Sequence, residues 1–224
     1  MRKKNAAPKQ KKGSRTQEQL LEAAVDIFGR HGFEAATTRL IARKAGVNIA
    51  AIPYYYRGKE GLYQAAVHYI VAKVEIQVAA VLAEINNQSF TGKDSREEAL
   101  ALLEKLLEKF INFMVGSPQA TRVARIILRE QFNPSPAYEI IFNGFLAPVL
   151  NAIATLIMAI TGESSSRTAK LRAMAIIGQI IVFRVGRETI VRSLNLEGYN
   201  TKEMAEIRRI ILEQTHGAME ALTR

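Results

Sequence analysis

The chain has 224 residues, of which 48% are apolar, and it contains no Cys. That length gives one large or two modest domains with enough apolar surface for a sizeable core, and the absence of thiols excludes a disulfide framework, a thiolate metal site and a cysteine nucleophile. The net charge of +10 sits mostly at the front: residues 1–70 hold 13 Lys/Arg against 5 Asp/Glu, and residues 71–224 hold 18 against 16, as expected either of a front that meets a polyanion or of a tail that only aids solubility.

Residues 1–13 are Lys-rich, carry Pro8 and Gly13, and are expected to form a basic disordered tail. They lead into no apolar run and so do not form a secretory signal. From Ser14 the pattern is helical: Leu20, Leu21, Ala24, Ile27 and Phe28 recur at helical spacing, with Gly32 as a stop signal. A second helix spans about Thr38–Ala45 with Thr38 as N-cap, a third begins near Asn48, and a fourth runs from about Lys59 to Asn86. NNQSFTGKD at 86–94 is a loop. Ser95 and Glu98 form a capping-box pattern at the start of a helix to about Val115. Gly116, Ser117 and Pro118 break the chain before a helix to about Phe132, and NPSP at 133–136 breaks it again. A helix over about Ala137–Ile160 bends at Pro148, another runs from Ser164–Ser166 to Arg192, and the last spans about Thr201–Leu222. No stretch alternates as a strand. The fold class is all-α with about nine helices, divided into the tail at 1–13, a three-helix domain at 14–60 and a second helical domain at 61–224. The longest apolar stretch, residues 145–160, is shorter than the ~20 residues that cross a bilayer and is interrupted by Pro148 and Asn151. No membrane segment is expected, and a cytoplasmic location is the default.

Thr38–Tyr55 carries the most information. Ile41, Ala45, Val47 and Ile52 are its apolar positions, Ala42 is small where helices would cross, and Gly46 suits a left-handed turn. Helix, Gly-containing turn and helix at this spacing can lay a second helix in a DNA major groove; the alternative is an ordinary helical hairpin. The first turn of the second helix offers Asn48, Ile49, Ala50 and Ala51. Asn48 has the only side-chain donors among them and is either a cap or a base contact, whereas Ile and Ala can touch thymine methyls. Arg39, Arg43 and Lys44 lie on or beside the first helix as candidate phosphate contacts or plain surface charges. Pro53 falls at the fifth helical position, cannot donate to the Ile49 carbonyl, and predicts a short or bent helix. The tail, with seven basic residues and no acid in positions 1–15, either follows a minor groove or stays mobile.

FGRHGFEAATTRLIARKAGVNIAAIPYYYRGKEGLY, residues 28–63, resembles the TetR family of bacterial transcriptional regulators. REQFNPSPAY (129–138) and IIGQIIVFRVGRETIVR (176–192) resemble a subgroup with Arg-Glu-Gln and Phe-Arg-x-Gly-(Arg/Lys)-Glu stretches in the regulatory domain. The resemblance implies a homodimer on a roughly palindromic double-stranded DNA operator, with a small-molecule effector in the C-terminal domain shifting the spacing of the two reading heads. By the same resemblance Thr38 and Lys59 match phosphate-contacting positions, and Tyr54 and Tyr55 match positions that contact phosphates or base edges. Tyr56 stands for an inward Phe, Arg57 for a small residue, and Pro53 for a polar one. All three tyrosines in core packing is the competing arrangement.

The helix at about 173–183 is apolar almost all round and so must be covered on every side; with the last helix, which carries Met204, Ile207, Ile211, Met219 and Leu222, it forms the expected dimer seam. An effector pocket needs an apolar lining with a few polar groups. The resemblance implies that the helices at about 95–192 enclose it, with Phe110, Phe113, Met114, Arg125, Arg129, Gln131, Phe142, Phe145, Gln179, Phe183 and Arg184 as candidate residues; Phe and Met at such positions are more often plain core, and Arg184 is equally consistent with an ion pair to Glu188. His31, His68 and His216 are scattered without metal-ligand spacing, and no nucleophile elbow, phosphate loop or dinucleotide fingerprint is present, so no catalytic residue, metal site or cofactor is expected. The sequence thus points to a ligand-responsive repressor, with a constitutive DNA-binding protein, an RNA-binding helical module and a membrane-surface protein as alternatives.

Overall fold

The computed structural model describes residues 7–92, 94–116 and 118–223. Residues 1–6 of the expected tail, Lys93 in the loop and Ser117 at a helix break lie outside the described residues. All regular elements among the described residues are helical: α1 (Ala7–Ala35), α2 (Thr38–Ala45), α3 (Ala51–Tyr56), α4 (Lys59–Asn87), α5 (Ser95–Ile111), α6 (Pro118–Phe132), α7 (Pro136–Ile141), α8 (Ala147–Thr161), α9 (Ser166–Val185), α10 (Arg187–Ser193) and α11 (Thr201–Ala221). The chain divides into two compact units, Met1–Ala72 with Arg122–Ile141, and Lys73–Thr121 with Phe142–Arg224. The first unit therefore takes in most of α6 and all of α7, which the sequence alone places in the second domain.

In the first unit α1 begins at Ala7, inside the stretch expected to be disordered. Pro8 sits in the first turn, where a missing N–H is tolerated, and Lys and Gln are good helix formers. Gly32 (φ 78) ends the regular helix, as its position predicts. The core is built on Leu20, Ala24, Ile27 and Phe28 of α1, Ile41 and Ala42 of α2, Ile52 of α3 and Leu62, Ala66 and Val67 of α4, all buried. Phe28, Phe33 and Tyr63 form an aromatic cluster with Phe28–Tyr63 centroids 4.9 Å apart. Glu130 of α6 is buried and accepts hydrogen bonds from the Tyr63 hydroxyl at 2.6 Å and the Ser135 N–H at 2.9 Å, which fastens the start of α7.

Two local constraints orient α2 and α3. Buried Asp26 of α1 binds Lys44 of α2 at 2.8 Å and Arg30 at 3.0 Å. Burial by itself would raise the Asp26 carboxyl, but the hydrogen bonds and charges of Lys44 and Arg30 outweigh it and hold the group below its ordinary 3.8. Lys44 thus braces α2 against α1 through Asp26, with its ammonium still partly exposed. Between α3 and α4 the chain turns through Arg57 (φ 61) and Gly58 (φ 131), and a Cβ on Gly61 would lie 2.0 Å from the Tyr56 carbonyl oxygen. Only glycine lets the two backbones approach so closely.

In the second unit α8 packs against both α5 and α9, and α11 contacts all three. Ala152, Ile153, Leu156, Ile157 and Ile160 of α8 meet Leu103, Leu106, Leu107 and Phe110 on the buried stripe of α5, and Ala173, Ile176 and Ile180 on that of α9. The helix expected over 137–160 is two helices joined by a π-helical turn at Phe142–Leu146, just before Pro148; the proline takes a first-turn position and the wider turn absorbs the bend. A second π-helical turn, Asn112–Gly116, ends α5. The helix expected to reach Arg192 is interrupted at Gly186. The capping box expected at Ser95 is absent: the Glu98 carboxylate instead accepts from Gln88 at 2.7 Å. A capping box does form at Asn200 and Glu203, at the start of α11. By length and composition Lys59–Asn87 and Pro136–Thr161 are apolar enough to cross a membrane, but their buried positions recur every three or four residues, as on core-facing helices.

Gly61→Ala should destabilise the protein by about 1–3 kcal/mol through the backbone clash; an unchanged denaturation midpoint would show that the α3–α4 turn yields freely. Asp26→Asn should cost about 2 kcal/mol near neutral pH, less than for a fully buried pair because both cations are partly exposed. Because the folded-state value of Asp26 is lowered, its contribution is complete above the unfolded value and is lost as pH falls through the folded one. Chemical denaturation across acidic pH should therefore show a stability slope in the wild type that is smaller in the variant.

Candidate functional site

The helix-turn-helix closes around Gly46, which is left-handed (φ 67) and donates to the Ala42 and Arg43 carbonyls at the end of α2. The N-cap of α2 is Thr37, not Thr38: Thr37 is extended and its hydroxyl accepts from the Leu40 N–H at 3.2 Å. Thr38 becomes the first helical residue, half-buried beside exposed Arg39. Asn48 Oδ1 accepts from the Ala50 N–H at 2.9 Å and closes the turn ahead of α3, whereas the N-cap position of the helix itself is Ala50, without a side-chain cap, so the helix cap expected of Asn48 is not formed. That turn is tight, with Ala51 and Ile52 N–H donating to the Asn48 and Ile49 carbonyls. The Ile49 carbonyl that Pro53 cannot serve is thereby satisfied from Ile52, and α3 is six residues long. The short helix expected from Pro53 is the one observed.

The outer face of α3 presents Asn48, Ile49 (45% exposed), Ala50 and Tyr54 (80% exposed), with Ala51 half-buried beside them. Tyr55 is half-buried and stands edge-on to Tyr54, ring centroids 4.8 Å apart. Tyr56 points inward and donates to the Gln17 carbonyl of α1 at 3.1 Å; burial first, and then Tyr55, push its phenol up to about 12. Arg39 and Arg43 are exposed, and among the described residues no ion pair holds them. Lys59 opens α4, but its ammonium donates to the Glu34 carbonyl at 3.1 Å and lies 4.5 Å from the centre of the Phe33 ring. It thus ties α4 to the end of α1, with N–H donors to spare.

The expected effector residues are only partly gathered. Phe110, Met114 and Phe145 are buried in the second unit, with the two rings 6.0 Å apart. Gln179 is half-buried, and its Oε1 is fully buried without a hydrogen-bond partner among the described residues. Phe183 is half-buried and Phe142 is 38% exposed. Arg184 forms no pair with Glu188; its guanidinium donates to the Met114 and Val115 carbonyls and to the Thr121 hydroxyl, holding the π-helical end of α5. Carbonyls at a helix end are left without partners inside the helix, and a guanidinium fork suits them. Arg125 belongs to the first unit, where it is exposed and lines an open groove with Gly29, Arg30 and Phe132. The Tyr63–Glu130–Ser135 network went unread in the sequence, because nothing in residue spacing brings positions 63 and 130 together.

Residues 20–66 match the family model described as bacterial regulatory proteins, tetR family. Residues 99–222 match the one described as HTH-type transcriptional dual regulator CecR, C-terminal domain. The HTH-type transcriptional dual regulator CecR of Shigella flexneri is 33% identical over 181 residues, covering 80% of each chain. Among solved structures, AibR in complex with isovaleryl coenzyme A and operator DNA has a TM-score of 0.63 at 14% identity, over 89% of this chain and 97% of that one. FadR from Bacillus subtilis in complex with stearoyl-CoA has a TM-score of 0.58 at 16% identity, over 88% and 95%. These two structures show a shared fold, whereas the model matches and the CecR relative carry the assignment: the chain belongs to the TetR family of bacterial transcriptional regulators and has a CecR-type C-terminal domain.

Proposed function

We propose that the protein is a cytoplasmic, ligand-responsive repressor that binds a palindromic operator as a homodimer and is released by a small apolar or amphipathic effector. The observation that carries this reading is the face shared by α2 and α3. Asn48, Ile49, Ala50 and Tyr54 are exposed in a row, and Arg39 and Arg43 beside them lack ion-pair partners among the described residues, whereas Arg30 and Lys44 are tied to Asp26. Apolar and amide groups suit a major-groove floor, and unpaired guanidinium groups suit the phosphates along its edges. In the proposed roles, Asn48, Ile49, Ala50 and Ala51 meet base edges, Tyr54 and Tyr55 meet bases or phosphates, and Thr38, Arg39, Arg43 and Lys59 meet phosphates.

The homodimer is supported by α9. Leu171, Met174, Val182 and Val185 are each more than half exposed and recur at helical spacing, with Gly178 open between them. A single subunit leaves this stripe bare, and a second copy of α9 and α11 would cover it. For the effector, the apolar cluster of Phe110, Met114 and Phe145, and the buried Gln179 oxygen, which has no partner among the described residues, are what an amphipathic ligand in the second unit would use. The fold accommodates such molecules elsewhere, as isovaleryl coenzyme A in AibR and stearoyl-CoA in FadR.

Selection of bound duplex from a random pool should yield a palindrome, and a screen of acyl-CoA thioesters and other amphipathic compounds should find molecules that release it. Recovery of no preferred duplex would refute the regulator reading, and operator binding indifferent to every such compound would refute the effector. Tyr54→Ala should weaken operator binding about tenfold without lowering the melting temperature, since the side chain is 80% exposed. Val182→Glu should convert the dimer to monomers in sedimentation and abolish high-affinity operator binding.

A further inference from the structure

Two openings meet at the end of α6, both inside the first unit. A groove of about 730 Å³ is lined by Gly29, Arg30, Arg125 and Phe132, and a cleft of about 640 Å³ by Phe33, Glu34, Glu60, Tyr63, Pro136 and Ala137; Arg129 and Asn133 border both. No residue of α2 or α3 lines either one. The groove is basic and has no carboxylate in its wall. Arg30 is held by Asp26, but Arg125 and Arg129 are exposed and have no ion-pair partner among the described residues. Beside them Phe132, the last residue of α6, is 80% exposed. The cleft has the opposite character. Glu34 and Glu60 are exposed, also without ion pairs among the described residues, and the apolar part of the wall is half-buried Phe33, buried Tyr63 and Ala137, and Pro136. Glu130, which also lines the cleft, is already bonded to Tyr63 and Ser135. Glu60 suits the first turn of α4. Glu34 has no such role, because it stands at the carbonyl end of α1, where a negative charge is unfavourable.

We propose that this surface is a contact between two copies of the chain, in which Phe132 of each copy enters the acidic cleft of the other, with the Arg125 and Arg129 guanidinium groups facing Glu34 and Glu60 across the seam. The two openings share Arg129 and Asn133, so a twofold axis at the end of α6 brings groove against cleft twice, and each copy gives and receives the same ring. An exposed aromatic side chain that fills a partner's pocket is a common energetic anchor of an interface, and opposite charges around it fix the register. An acidic peptide would answer only the groove, and a cationic ligand only the cleft, whereas a second copy supplies both complements at once. The residues involved belong to the first unit and the α9 stripe to the second, so this seam joins pairs of subunits into fours. One aromatic anchor and a few charge pairs per side make a weak contact, with association expected at about 1–100 µM. The inference rests on the proposed α9 homodimer only for the number of copies that are joined.

The test is sedimentation equilibrium of the full-length protein over about 1–100 µM, for wild type, Phe132→Asp, Arg125→Glu, Glu34→Arg and the double variant R125E/E34R, with the melting temperature of each. The wild-type mass should rise from two copies toward four. Phe132→Asp should weaken that step at least about tenfold at an unchanged melting temperature, since the side chain is 80% exposed. Each single charge reversal should weaken it about fivefold or more, and the double reversal should recover most of the loss, because the pairs return with their signs exchanged. A wild type that stays at two copies up to about 100 µM overturns the inference and leaves the α9 dimer intact. A rise in mass that Phe132→Asp leaves unaltered overturns it as well. Saturable shifts of the Phe132 resonances with a poly-glutamate peptide, in a wild type that stays at two copies, would assign the groove to an acidic partner and remove the self-contact. A mass that rises from one copy to two, and that Phe132→Asp blocks, sustains this contact and removes the α9 dimer instead.

Discussion

The geometry of the reading face depends on the near-contact between the Tyr56 carbonyl and Gly61. α3 is only six residues long and makes few hydrogen bonds of its own; a helix of that length has no independent stability in water. It holds its place because Ile52 is buried beneath it, because the Tyr56 hydroxyl is bonded to the Gln17 carbonyl, and because the chain leaves through a left-handed Arg57 into an α4 whose third residue has no side chain. The outward tilt of Tyr54 and the inward tilt of Tyr56 follow from this one turn. A longer connection would let α3 rotate, and the division of the tyrosines between surface and interior would be lost.

Electrostatics sorts the basic residues of the chain into two sets. Arg30 and Lys44 meet Asp26, Arg122 meets Glu22, and Arg184 holds the carbonyls at the end of α5; all of these organise the protein itself. Arg15, Arg39 and Arg43 stand exposed on the first two elements of the first unit, without ion pairs among the described residues. Positive charge left uncompensated on one side of a small helical unit produces a directional field. Composition reports only the sum, and the sum does not distinguish a cation that braces a fold from one that faces outward.

Much of the reading head was legible because its determinants are local. Gly46 between two apolar-periodic segments, Gly32 after the first helix and Pro53 inside the third each act on the backbone within a few residues, and each did what its chemistry predicts. Single-residue ambiguities were not resolvable in that way: Thr37 and Thr38 are equally competent caps, and only the extended backbone of Thr37 decides between them. Ser95-x-x-Glu98 and Asn200-x-x-Glu203 carry the same signature, yet in the first Glu98 is drawn off by Gln88 and only the second closes. The π-helical turns left no trace in the pattern, since a gain of one residue in a helical turn barely disturbs apolar spacing. The effector residues were least legible. Whether an arginine on an apolar helix binds a ligand or a main-chain carbonyl depends on long-range neighbours, as Arg184 and Met114, seventy residues apart, illustrate.

The Asn48–Ala50 hydrogen bond ahead of α3 has an effect that reaches past folding. With its oxygen held by the Ala50 N–H, the Asn48 amide turns mainly its –NH₂ group outward. In the proposed complex that side chain favours an edge rich in lone pairs, which its –NH₂ group can serve, and has only the second lone pair of its oxygen for an edge that brings its own hydrogen. Guanine, adenine N7 and the thymine carbonyl are compatible with it, whereas the exocyclic amine of cytosine is less so. The hydrogen bond ahead of α3 therefore also tilts the choice of base at that step away from cytosine.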